Sequence, residues 1–165
     1  MNSLTNKPNS ATYLTDGGLE TELLFNKGID LPHFAAFPLV EDPIHLETLK
    51  NYYREYLDLS AKNGFGFILE SPTWRANTDW AYKLGYSDEE LKAVNKKSID
   101  HLRSLRMEYE AFLPEILISG QIGPRGDGYS VGSTMTREEA REYHQLQIKT
   151  FKDSGADLTL SLIHI

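Results

Sequence analysis

Short apolar runs alternate along the chain with longer segments in which apolar residues recur every three or four positions. The short runs predict buried strands, and the recurring pattern predicts amphipathic helices. The predicted strands cover residues 11–15, 65–69, 116–119 and 157–160. The segment that follows the first strand, up to Val40, shows no clear period, and we expect it to be irregular.

Three long helices are expected between these strands, because each helical segment carries signals at its ends. Asp42 precedes a proline, which is typical of a helix start. Ser87 and Thr136 each stand three residues before a glutamate, a spacing that indicates a capping box. Gly64 and Gly155 predict the ends of the first and third helices, since glycine tolerates the left-handed conformation found there.

The alternation of strands and helices predicts an α/β fold with a parallel sheet and right-handed crossovers. Four such units are compatible with a small doubly wound sheet. They are equally compatible with the first half of a (β/α)8 barrel, which typically needs about 250 residues. The pattern alone does not choose between the two.

The composition is that of one globular domain, with 40% hydrophobic and 25% charged residues. The formal net charge is -7 and no long basic run exists, which argues against non-specific binding to nucleic acid. No segment is apolar over the ~18 residues that a membrane helix needs. The polar N-terminus also lacks the apolar core of a secretory signal, so we expect a cytoplasmic protein without a membrane partner.

The last six residues read LSLIHI. A chain that stops as a buried strand emerges leaves apolar side chains and backbone groups without partners. The hexapeptide also resembles the translated end of a transposon adapter used in preparing DNA libraries. We therefore expect residues 1–159 to be a partial domain and residues 160–165 to be a non-native tail, with a genuine apolar strand as the alternative.

Polar residues follow three of the predicted strands, at the positions where parallel α/β proteins place their active sites. Asp16, Gly17 and Gly18 follow the first strand. The two glycines allow a sharp turn and a close approach of a ligand to backbone amides, and Asp16 is suited to receive an ammonium group. The alternative is a structural turn in which Asp16 caps its own loop.

The second strand ends at Glu70, and Trp74 and Arg75 follow closely. A carboxylate that leaves a buried strand is costly without a partner. Glu70 is therefore expected either to bind a ligand or to form a structural ion pair with Arg75, and Trp74 either walls a pocket or packs beneath the loop. The third strand is followed by a glycine-rich loop, residues 121–129, which lacks the dinucleotide-binding and P-loop spacings.

Three stretches in this order resemble the homocysteine S-methyltransferases: YLTDGGLETEL, PTWRAN and LISGQIGPRGDGY. The resemblance covers about residues 12–160. It implies a (β/α)8 barrel that transfers a methyl group from a small-molecule donor to the sulfur of homocysteine and forms methionine. It also implies zinc, which binds the thiol and stabilises the thiolate, because a free thiol with a pKa of about 8.5 is mostly protonated at pH 7.

The resemblance also implies roles for individual residues. Asp16, Gly17 and Gly18 match a loop that holds the amino-acid end of homocysteine. The other matching positions are a threonine–aromatic pair at the second strand end and two residues that shape the third loop: Thr73, Trp74, Gly123 and Asp127. This chain departs from the family at Glu70, where many members carry a run rich in threonine and asparagine.

The zinc ligands of this family are cysteines from the second half of the barrel, and this chain contains no cysteine. We therefore expect the N-terminal half of such a barrel, inactive alone, with zinc bound only in a full-length parent enzyme. The alternative is a complete small α/β enzyme or ligand-binding module that uses Asp16 and Glu70 without zinc.

Overall fold

Four parallel strands form one sheet in the computed structural model, which describes residues 12–130, 132 and 134–162. Their order in the sheet is their order in the chain. The strands are β1 (Tyr13–Thr15), β2 (Gly66–Glu70), β3 (Ile116–Ile122) and β4 (Leu158–Ser161). Because a doubly wound sheet reverses its strand order at one point, the sequential order seen here is not that of a doubly wound sheet.

The strands are connected by the helices α1 (Leu19–Thr21), α2 (Pro43–Asn63), α3 (Thr78–Lys83), α4 (Asp88–Tyr109) and α5 (Arg137–Ser154). The three long helices, α2, α4 and α5, pack against the sheet. No helix among the described residues has the length and apolar character needed to cross a membrane.

The segment between β1 and α2, which we expected to be irregular, consists of short helical turns. After α1 the chain forms a π-helical turn at Glu22–Asn26 and 3-10 turns at Pro32–Phe34 and Phe37–Glu41. Leu23 and Phe37 from these turns are fully buried. The sequence shows no period here because each turn is too short to repeat its apolar positions.

The predicted ends of the long helices are confirmed. The Asp42 carboxylate accepts hydrogen bonds from two backbone N–H groups at the start of α2. The capping boxes of Ser87 and Thr136 form as expected. Gly64 and Gly155 adopt the left-handed conformation at the ends of α2 and α5, with φ of 67° and 85°.

The third strand is longer than the sequence predicted, because β4 pairs with its second half. The register aligns Gly120 with Thr159 and Ile122 with Ser161. A Cβ atom on Gly120 would lie 2.2 Å from the ring of Phe151, so this glycine allows α5 to pack closely on the sheet. The predicted strand 11–15 begins at Tyr13, and Ala11 lies outside the described residues.

The core lies between the sheet and α2, α4 and α5. Its fully buried side chains come from every one of these elements: Leu49, Tyr53, Leu57, Phe67, Leu69, Leu91, Ile99, Leu102, Leu105, Ile118 and Phe151. The packed core fixes the strands and therefore the positions of the loops at their carboxyl ends.

Candidate functional site

A cavity of about 340 Å³ opens at the carboxyl ends of the strands. Three carboxylate side chains line it, from Asp16, Glu20 and Glu70. Aromatic side chains form another part of its wall: Phe34, Trp74 and Tyr129. The cavity therefore combines carboxyl groups with apolar surface, as small-molecule sites often combine polar groups and apolar walls. Leu160 and Leu162, at and just beyond the end of β4, also line the cavity.

Asp16 follows β1 directly, and its two carboxylate oxygens have different surroundings. The hydroxyl of Tyr52, on α2, donates a hydrogen bond of 3.0 Å to its Oδ2 atom. The buried Oδ1 atom has no hydrogen-bond partner among the residues that the structure describes. Burial raises the pKa of Asp16 to about 7, and the nearby charge of Glu70 adds to the rise.

Glu70 is the last residue of β2 and is only 8% exposed. Its Oε2 atom is buried and has no hydrogen-bond partner in the described part of the chain. Burial raises its pKa above the usual range. The backbone carbonyl of Glu70 accepts a hydrogen bond of 2.7 Å from the hydroxyl of Tyr53, which fixes this strand end against α2.

The ion pair between Glu70 and Arg75, which the sequence left open, does not form. Arg75 instead donates a hydrogen bond of 2.8 Å to the backbone carbonyl of His33. Its guanidinium group lies 4.7 Å and 3.9 Å from the ring centroids of Trp74 and Trp80. Glu70 consequently lines the cavity without an ion pair to any residue that the structure describes.

The two glycines after Asp16 have different geometric roles. A Cβ atom on Gly17 would lie 3.0 Å from the hydroxyl of Tyr56, so the absence of a side chain lets the loop approach α2. The carbonyl of Gly18 accepts a hydrogen bond of 2.9 Å from the N–H of Glu22 and starts α1. Both glycines line the cavity.

The aromatic wall is built from the loops that follow β1, β2 and β3. The ring of Trp74 makes edge contacts with Phe34 and with Tyr129, at centroid distances of 6.5 Å and 6.4 Å. Phe34 and His33 both adopt positive φ angles, 57° and 56°, which are rare for residues with a side chain. Such backbone conformations persist only where the surrounding contacts hold them.

Three residues predicted for the site do not line the cavity. Thr73 is fully buried, and its hydroxyl donates a hydrogen bond of 2.7 Å to the carbonyl of Gln121, which joins the second strand end to the third. A Cβ atom on Gly123 would lie 2.4 Å from the carbonyl oxygen of Trp74, so Gly123 makes room for this loop. Asp127 is exposed, and its Oδ1 atom lies 3.8 Å from Arg75.

The sequence did not point to Tyr52, Glu20 or Phe34 as parts of the site. Tyr52 lies four positions before Tyr56, a spacing that places both on one face of α2 and was available from the sequence. Glu20 and Phe34 carried no such signal, because they belong to short turns whose positions depend on packing.

The described residues do not fit a zinc site. No group of three or more His, Cys, Asp or Glu side chains among them is arranged to hold a metal ion. The chain has no cysteine to supply a thiolate. Its carboxylates and aromatic rings are suited instead to a small ligand with a positively charged group, since each unpartnered carboxylate oxygen can accept a hydrogen bond from it.

A comparison with protein families matches residues 13–162 to the model of the homocysteine S-methyltransferases. Homocysteine S-methyltransferase 2 of Arabidopsis thaliana is 29% identical, over 87% of this chain and 47% of that protein. Selenocysteine Se-methyltransferase of Brassica oleracea var. italica is 28% identical, over 88% of this chain and 45% of that protein. The chain thus spans about half the length of the curated relatives it matches.

Solved structures show the same fold. The crystal structure of the homocysteine methyltransferase MmuM from Escherichia coli, in its metallated form, superposes with a TM-score of 0.71. The sequence identity is 23%, and the match covers 97% of this chain and 56% of that one. The oxidized form of the same protein gives a TM-score of 0.70.

Proposed function

Since the chain belongs to the homocysteine S-methyltransferase family, we propose that the full-length protein transfers a methyl group to the thiol sulfur of homocysteine and forms methionine. In this proposal the chain supplies the first four strands of a (β/α)8 barrel, with the three long helices between them, and does not complete the reaction alone. The sequential order of the four strands supports it, as does a cavity at their carboxyl ends, where barrel enzymes bind substrates.

The observation that carries the proposal is the unpartnered Oδ1 atom of Asp16 in the cavity. A hydrogen bond from a ligand to a buried carboxylate oxygen stabilises the bound state, and a charged donor stabilises it most. The ammonium group of homocysteine has three N–H donors and can bind Asp16 through one of them. Glu70, whose Oε2 atom also has no hydrogen-bond partner among the described residues, provides a second acceptor in the same cavity.

The aromatic wall can contact both homocysteine and the methyl donor. The faces and edges of Phe34, Trp74 and Tyr129 provide apolar contact for the carbon chain of homocysteine. Methyl donors with a sulfonium or quaternary ammonium centre carry a positive charge, and aromatic rings attract such cations. We therefore propose a cationic small molecule as the methyl donor.

Zinc would stabilise the homocysteine thiolate, but the residues that the structure describes do not fit a site for it. Under our proposal, the zinc ligands of the full-length protein lie outside these 165 residues. The role of the present chain is to bind the amino-acid end of the substrate and to shield it from water. Genomic sequence that continues in frame beyond Thr159 and encodes cysteines would support this division of roles.

The test compares Asp16→Asn with wild type in the full-length protein. We expect kcat/KM for L-homocysteine to fall by at least about tenfold, because a charge-assisted hydrogen bond contributes roughly 1.5–3 kcal/mol. Asp58→Asn is the matched control, since Asp58 also accepts a tyrosine hydroxyl but lies at the exposed surface. Equal kcat/KM values in all three proteins would exclude the role of Asp16, and a folded full-length protein without methyl transfer would exclude the activity.

The alternative of a complete small ligand-binding module also has one observation in its favour. The cavity and both unpartnered carboxylates, Asp16 and Glu70, lie within this chain. Calorimetry on the 165-residue chain, with L-homocysteine and with other small amines in the absence of zinc, distinguishes the two functions. Tight binding of another amine by a monomer would favour the module.

A further inference from the structure

A single hydroxyl group reaches the carboxylate of Asp16 from the helix side. The Tyr52 hydroxyl donates to Oδ2 at 3.0 Å, across 36 positions of sequence. With Oδ2 held in this way, Oδ1 is the oxygen that no described residue binds. The hydrogen bond thus sets which oxygen of Asp16 is available to a ligand.

We propose that Tyr52 is a positioning residue of this site, whose hydroxyl orients the Asp16 carboxylate and keeps it in the charged form that a cationic group requires. The inference rests on the proposed function for the identity of the ligand. It goes beyond that function because it assigns the control of Asp16 to a residue on α2 that does not line the cavity.

Tyr52 is held rigidly enough to act in this way. Its side chain is 3% exposed. Its ring makes edge contacts with the rings of Tyr53 and Tyr56, each at a centroid distance of 5.2 Å. A hydroxyl on a packed ring loses little freedom when it donates, so the hydrogen bond is preorganised.

The groups around Asp16 make this hydrogen bond important for the ionisation of its carboxyl group. The charges of Glu20 on α1 and of Glu70 on β2 both raise the pKa of Asp16, as burial does more strongly. From α2, Tyr52 and Tyr53 face Asp16 as neutral phenols, because burial raises the pKa of each far above neutrality.

Among the described residues, no cation is one of the groups that shift the pKa of Asp16. This pKa is lowered by the Tyr52 hydroxyl and by a hydrogen bond from the backbone of Asp16 itself. Loss of the hydroxyl would therefore leave Asp16 protonated, and unable to pair with an ammonium group, to a higher pH.

The first experiment follows the carboxyl carbon of Asp16 by NMR in the 165-residue chain, as a function of pH and without any ligand. We expect a midpoint of about 7 in the wild type. In Tyr52→Phe the midpoint should rise by about one pH unit, since a donor to the charged form is lost. An unchanged midpoint in a folded Tyr52→Phe variant would overturn the proposal.

Tyr109→Phe is the matched control. Tyr109 donates a hydrogen bond of 2.7 Å to the exposed Asp58, so the variant loses the same kind of contact away from the cavity. The midpoint of Asp16 should not move in it. If Tyr52→Phe does not fold, 3-fluorotyrosine at position 52 replaces it, because its more acidic hydroxyl donates more strongly, and the midpoint should then fall.

The second experiment measures the affinity of the wild type and of Tyr52→Phe for L-homocysteine at several pH values. We expect Tyr52→Phe to bind several-fold more weakly than wild type at pH 7, and the ratio to shrink as the pH rises and Asp16 ionises in both proteins. A loss of equal size at every pH would show a purely structural effect and overturn the proposal. If the titration midpoint of Asp16 shifts in Tyr52→Phe but neither protein binds homocysteine, the proposed ligand is refuted and the role of Tyr52 is upheld.

Discussion

At the scale of single residues, the cavity keeps a carboxylate in an environment that disfavours its charge. The pKa of Asp16 rises from the ordinary 3.8 to about 7. The folded chain therefore binds this proton more tightly than the unfolded chain does. The stabilising effect of the bound proton is fully present below about pH 4 and is lost as the pH rises through 7.

Replacement of Asp16 by asparagine should therefore stabilise the chain more at pH 8 than at pH 4. The gain in the free energy of unfolding at pH 8 should be on the order of 2 kcal/mol, because the neutral amide needs no proton and loses no hydration of a charge. Urea unfolding at the two pH values measures it. Asp58→Asn should show no such dependence, and an equal effect of Asp16→Asn at both pH values would contradict the shifted pKa.

Glu70 shows what residue-level reasoning from sequence can and cannot establish. A carboxylate at the end of a buried strand signalled either a ligand or an ion pair, and both interpretations were physically sound. The structure excludes the ion pair, because Arg75 donates to the carbonyl of His33 and its guanidinium group lies over the rings of Trp74 and Trp80. The sequence around Arg75 did not reveal the hydrogen bond to His33, since His33 is 42 positions away.

At the scale of elements, Arg75 joins the loops that follow three different strands. It lies in the loop after β2, holds the carbonyl of His33 in the segment after β1, and reaches Asp127 after β3. The guanidinium group fits this position because it is planar and can stack on aromatic rings while it donates at its edge. The aromatic wall of the cavity depends on the same loops.

Arg75→Lys should lower the free energy of unfolding by about 1–3 kcal/mol, because an ammonium group replaces neither the stacking nor the forked donors. The near-ultraviolet circular dichroism of the tryptophans should also change. Arg54→Lys is the control: Arg54 binds Glu47 and Glu108 on the more accessible surface, and its replacement should change the free energy of unfolding by less than about 1 kcal/mol. Equal effects of the two variants would argue against a special role of Arg75.

At the scale of the whole molecule, the sheet has two edges, β1 and β4, each paired on one side only among the described residues. In the barrel that we propose for the full-length protein, further strands would pair with both. Unpaired parallel edges are a common route to association between chains.

We therefore expect the 165-residue chain to self-associate as its concentration rises, whereas a longer chain that closes the barrel should not associate by this route. Sedimentation velocity over a range of concentrations makes the comparison. A strictly monomeric 165-residue chain with a cooperative thermal transition would instead favour the complete small module.

The elements of this protein were determined largely by the sequence itself. Apolar periodicity and the caps at Asp42, Ser87 and Thr136 act between residues a few positions apart, so they predict the long helices and the strands between them. The DGG loop and the other two motifs also indicated the family that the comparison then showed.

Only the tertiary structure decided the order of the strands, the partner of Arg75 and the hydrogen bond between Tyr52 and Asp16. It also decided that Thr73 links the second and third strand ends by a hydrogen bond and does not line the cavity. The physical reason is the same in each case: these contacts join residues that are far apart in sequence, and packing of the whole core determines which of them meet.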